Sequence, residues 1–151
     1  MDVQIPNRGT MTIRHVVLDF NGTLALDGAV DDSIVPMLQK LCTRFHVILA
    51  TADTFGTAGP FADRLGMTWQ TVKTGEDKES IVRSLGGAVA AVGNGANDAA
   101  MFRSADLAIA VMTEEGLSIQ AVREADVVMP SVDRALELLL HPHRLVATLR
   151  V

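Results

Sequence analysis

Five short apolar runs, at residues 16–20, 47–50, 88–92, 107–111 and 127–129, recur along the chain, each closed by polar residues or glycine. They are too short for typical helices and read as strands buried on both faces. Amphipathic stretches at 33–45, 59–65, 78–85, 98–104, 117–124 and 132–140 lie between them and read as helices. Residues 69–72 add a further short strand, and the resulting β-α alternation predicts an α/β fold: a doubly wound, mostly parallel sheet with helices on both faces. The 151 residues suit a single domain, 1–151. Residues 1–14, broken by Pro6, Asn7 and Gly9, predict an N-terminal hairpin or arm. Residues 141–151 predict a final helix, apolar at Leu145, Val146 and Leu149, that docks on another subunit.

Composition narrows the function. Apolar residues make up 48% of the chain, enough for a packed core, and 13 basic against 18 acidic residues leave a net charge of −5. With no basic block, neither nucleic acid nor an anionic membrane is an expected partner. No apolar run is long enough to cross a bilayer, no leader pattern stands at the N-terminus, and Cys42 is the single cysteine, so a cytoplasmic setting is expected.

In an open parallel sheet, ligands gather beyond the carboxyl ends of the strands, where strand order reverses. The polar residues there are Asp19-Phe20-Asn21-Gly22-Thr23, then Thr51-Ala52-Asp53, then Gly93-Asn94-Gly95-Ala96-Asn97-Asp98, with Lys78 on the intervening helix. This inventory suits phosphoryl transfer, which needs positioning and charge. Asp19 is the candidate nucleophile, with the backbone of Asn21 and Gly22 and the Thr23 hydroxyl around the phosphoryl group. Thr51 and Ala52 would hold its oxygens, Lys78 would offset their charge, and Asp98 would hold a divalent cation.

Taken together these four segments resemble the motifs of the haloacid dehalogenase superfamily, in order and on the expected elements. The loop at 93–98 and the helix and strand after it are similar to the phosphorylation domain of P-type ATPases and to small soluble proteins that share it. The resemblance covers about residues 14–140 and implies a magnesium-dependent phosphatase working through an aspartyl-phosphate on Asp19. It also implies a cation held by Asp19, the main-chain carbonyl of Asn21, Asn94 and Asp98.

Two departures bear on this reading. The superfamily's phosphatases carry an acid-base Asp two residues after the nucleophile, where this chain has Asn21, so turnover should be slow. A metal-binding Asp is replaced by Asn94, which offers a carbonyl oxygen but no charge. The gaps from Asp19 to Thr51 and from Thr51 to Lys78 leave no room for a cap domain. The site should therefore be open to a phosphorylated small molecule or a phosphoprotein, or be covered by neighbours in a homo-oligomer, a dimer or tetramer. Residues 24–30, with Asp27-Gly28, would form a small flap. The alternative is a catalytically weakened module that binds phosphate or a phosphorylated partner. A receiver domain fits poorly, because its acidic pair is missing beside Asp19. Asp53 carries no assigned role, His141 and His143 read as surface residues, Cys42 as packed, and Met101, Met112 and Met129 as core fillers.

Overall fold

The computed structural model describes residues 1–6 and 9–150. Strands β1 (Asp2–Ile5) and β2 (Gly9–Asp19) pair antiparallel as the expected hairpin; Asn7, Arg8 and Val151 lie outside the described residues. A miniature hairpin follows, β3 (Ala25–Leu26) and β4 (Ala29–Val30). Its turn residues Asp27 and Gly28 have φ of 51° and 79°, the paired positive values of a two-residue type I′ hairpin.

Then come α1 (Val35–Cys42), β5 (His46–Thr51), α2 (Ala58–Leu65), β6 (Thr68–Thr71) and α3 (Gly75–Ser84). The rest of the chain forms β7 (Ala88–Gly93), α4 (Ala99–Ser104), β8 (Leu107–Val111), α5 (Ile119–Glu124), β9 (Val127–Met129), α6 (Val132–Leu140) and α7 (Pro142–Leu149). Local chemistry sets several of these ends. A 3-10 turn capped by Asp31 occupies 32–34, so the first helix starts at Val35 with Pro36 in its opening turn. The Ser118 hydroxyl accepts from Gln120 N–H and delays α5 to Ile119.

The main sheet runs β6-β5-β2-β7-β8-β9, every neighbouring pair parallel, with β1 antiparallel on the first half of β2. From β2 the chain winds outward through β5 to β6, then returns to the other side of β2 with β7 and winds outward again. Strand order therefore reverses at the carboxyl ends of β2 and β7.

Alternation along the central strands fills two cores. Val16 and Leu18 face α1, α2, α6 and α7, while Val17 faces α3, α4 and α5. Each fully buried side chain of this kind contributes about 1.5–3 kcal/mol. At the edge, β6 has exposed side chains throughout, and Trp69 lies on Gly59 of α2.

Two expectations are corrected. The apolar face of α7 packs within the chain rather than standing free for a partner: Leu145 and Leu149 are buried and the helix packs on β1 and α6. Met112 is 50% exposed, because it follows β8 at the rim of the sheet and not within it. Met101 is buried, Cys42 half-buried, and His141 and His143 exposed. Among the described residues no helix is long and apolar enough to cross a membrane.

Candidate active site

β2 ends on Asp19, in register with Ala50 of β5 and one residue beyond the Leu18–Val92 pairing with β7. The chain turns sharply there. Phe20 O accepts the N–H groups of Leu24 and Ala25, both at 2.9 Å, and the turn carries Thr23 back over Asp19. Thr23 Oγ1 lies 2.8 Å from Asp19 Oδ2 and 3.0 Å from Asn94 Oδ1. One hydroxyl proton thus serves two acceptor oxygens.

Lys78 reaches this point because α3 starts where it does. Thr74 Oγ1 accepts from Asp77 N–H at 3.2 Å, and Asp77 Oδ2 accepts from Thr74 N–H at 3.0 Å, a reciprocal cap that fixes the first turn. Gly75 lets that turn approach β7's loop: a Cβ there would stand 2.8 Å from Asn97 O. The Lys78 side chain, 1% exposed, then spans the gap with its Nζ 2.7 Å from Asp19 Oδ1 and 2.6 Å from Asp98 Oδ1.

Burial pushes the Asp19 carboxyl up to about 6, helped by the negative charge of Asp98 and opposed by Lys78 and Thr23. Burial alone would lower Lys78, but the charges of Asp19 and Asp98 outweigh it and hold the ammonium above its usual range. Two buried carboxylates share one cation, leaving the cluster negative.

Thr51, fully buried at the end of β5, accepts from Asp53 N–H at 2.9 Å and from Asn21 Nδ2 at 3.3 Å. As acceptor in both, its hydroxyl keeps its own proton uncommitted. Asp53 acts locally, its Oδ1 accepting from Ala58 N–H at 3.0 Å at the start of α2. Ala52 is exposed between them.

The structure revises three assignments. Gly22 N–H is used on Ala25 O at 2.8 Å, and the Thr23 hydroxyl is used on Asp19 and Asn94, so neither offers its expected donor to phosphate. Asp98 is fully buried; Lys78 takes its Oδ1, and the N–H groups of Asn94 and Gly95 take its Oδ2, both at 2.9 Å. It anchors the lysine and folds the loop rather than facing a cation.

A hard divalent cation fits what remains. Asp19 Oδ2 and Asn94 Oδ1 compete for the single Thr23 proton, and Asn21 Oδ1 is buried with no hydrogen-bond partner among the described residues. Oxygen atoms short of positive partners are what magnesium selects. Among the described residues no three His, Cys, Asp or Glu side chains cluster as a metal site.

Sequence reasoning misses the loop after β8. The rule about strand ends applies to it equally, and Thr113 and Gly116 there accept from Asn94 Nδ2, each at 3.2 Å.

No family model matches the sequence. An uncharacterized protein of Methanocaldococcus jannaschii is 40% identical over 62 residues, 41% of this chain and 67% of that protein. In structure, the chain is similar to the 3-deoxy-D-manno-octulosonate 8-phosphate phosphatase of Moraxella catarrhalis, solved with magnesium, phosphate and the sugar acid. The TM-score is 0.72 at 19% identity, over 91% of this chain and 94% of that one. It is also similar to a zinc-transporting PIB-type ATPase in its E2.Pi state, with a TM-score of 0.63 at 24% identity, over 79% of this chain but 21% of the ATPase.

Proposed function

For a chain that belongs to one family with the Methanocaldococcus jannaschii protein and has the haloacid dehalogenase fold without a cap domain, we propose a magnesium-dependent phosphatase working through Asp19. The observation that carries the proposal is the convergence of Asp19, Thr51 and Lys78 at the point where strand order reverses.

In this reading a carboxylate oxygen of Asp19 attacks phosphorus and the bond to the leaving-group oxygen breaks. That oxygen departs with the electron pair and takes its proton from water. Lys78 and the Thr51 hydroxyl hold the phosphoryl oxygens, with Ala52 beside them. Water then cleaves the aspartyl-phosphate, releasing inorganic phosphate and restoring the carboxylate. Magnesium, held by Asp19, Asn21 and Asn94, would offset the charge of the phosphoryl group.

Asn21 sets the pace, since an amide can neither protonate a leaving group nor activate water. Acyl phosphates and anhydrides, whose leaving groups need little protonation, suit this site better than esters. Without a cap domain, the substrate would be a phosphorylated small molecule or a phosphoprotein. Exposed Leu26 and Met112, 40% and 50% accessible, favour a homo-oligomer in which a neighbour covers the flap.

The test is incubation with acetyl phosphate and magnesium, followed by intact-mass analysis. Wild type should gain one phosphoryl group, Asp19→Asn none. Labelling of both variants equally would sink the assignment. A second reading, a phosphate-binding module without turnover, is favoured by the engagement of both Asp19 oxygens, by Lys78 and by Thr23. Phosphate binding by wild type with no labelling would select it.

A further inference from the structure

We propose that Glu115 serves the cation site, supplying the carboxylate charge that Asn94 lacks; this rests on the phosphatase reading above. The loop after β8 is closed on itself by Gly116 N–H to Thr113 O at 2.9 Å. It is pinned to Asn94 from both sides: Asn94 Nδ2 donates to Thr113 Oγ1 and to Gly116 O, and Asn94 O accepts from Ser118 N–H at 2.9 Å. Between those anchors lie Glu114 and Glu115, and it is Glu115 whose carboxylate reaches the nucleophile's loop.

Its carboxylate lies against Gly22, in the nucleophile's own loop. A Cβ built on Gly22 would collide with Glu115 Oε2, would stand 3.1 Å from its Cδ, and would stand 3.4 Å from Asn94 Oδ1. One point in space beside Gly22 therefore has the Glu115 carboxylate on one side and the Asn94 amide oxygen on the other. The Gly22 φ of +80° calls for glycine there, and any side chain would have to move the Glu115 carboxylate aside.

Among the described residues Glu115 makes no hydrogen bond or ion pair, and it is exposed, free to turn toward the site. Charge matching explains its place. Lys78 neutralises one of the two buried carboxylates, Asp19 and Asp98, which leaves one negative charge. Glu115 brings a second, the complement of a divalent ion. A hard cation takes such oxygens directly or through its own water. Asn94 thus holds the loop with its amide nitrogen and offers its oxygen, while the charge comes from the next strand's loop.

The test is binding of manganese alone to the full chain, read by the electron paramagnetic resonance of free manganese. Glu115→Gln should raise the dissociation constant by about 10-fold. Glu114→Gln, which removes the neighbouring charge, should not, and adding Asn94→Asp to Glu115→Gln should restore tight binding. An unchanged constant in Glu115→Gln, or an equal rise in Glu114→Gln, overturns the proposal. Acetyl phosphate labelling at saturating magnesium separates the two readings. A labelled wild type with an indifferent Glu115 removes only this proposal, whereas a wild type that neither takes label nor binds manganese removes both.

Discussion

Lys78 Nζ and Asp98 Oδ1 meet at 2.6 Å with both side chains buried. Lys78 also pairs with Asp19 at 2.7 Å, so removing Asp98 takes away one of its two anchors without stranding the ammonium. Asp98→Ala would also free the N–H groups of Asn94 and Gly95. The expected outcome is a loss of stability of about 1–3 kcal/mol from the donors left unpaired, seen as a lower urea midpoint, with slower acetyl phosphate labelling because the loop beside Asp19 loosens.

Asp19 makes the metal-free protein less stable than its fold allows. Its carboxyl is raised from 3.8 to about 6, so the folded state holds a proton that the unfolded state has already released. The stabilisation is complete below pH 3.8 and lost as pH rises to about 6, amounting to about 3 kcal/mol. Denaturation of wild type and Asp19→Asn across this range, with chelator present, checks it. The wild type should lose stability relative to the variant as pH rises, and parallel curves would refute the effect. Magnesium should recover part of the difference by binding the folded state alone.

The start of α3 is a positioning device. Thr74→Ala removes the cap on Asp77 N–H and should cost about 1 kcal/mol, with Thr74→Ser recovering most of it. Gly75→Ala should cost about 1–3 kcal/mol, because the new Cβ must push Asn97 away. Thermal melts measure both. Labelling of Asp19 should slow in each variant although neither residue touches the phosphoryl group.

Restoring the missing proton carrier should change substrate preference. Asn21→Asp should speed p-nitrophenyl phosphate hydrolysis by about 10²-fold or more, and acetyl phosphate hydrolysis by less. Steady-state rates on the two substrates decide this, and equal acceleration of both would contradict the role given to Asn21.

Much of this was legible in one dimension. Apolar runs separated by helical stretches dictate a parallel sheet, because strands buried on both faces leave helices as the covering layer. The rule for strand ends then picks out Asp19, Thr51 and Asn94, since a strand tip is where a buried backbone meets solvent. Asp27-Gly28 announces its own turn through positive φ. Helix starts were less visible, because α3 begins at Gly75 through a cap between Thr74 and Asp77 rather than through apolar spacing.

What sequence alone determined was the order of elements and the identity of the chemical groups, which follow from local periodicity and residue type. Only the tertiary structure decided how those groups share protons and charge. It set Asp98 behind Lys78, turned Gly22 N–H into its own loop, and brought Glu115 against a residue 93 positions away. The physical reason is that hydrogen bonds and ion pairs depend on distances of a few ångströms across strands, and chain order does not record which strands will be neighbours.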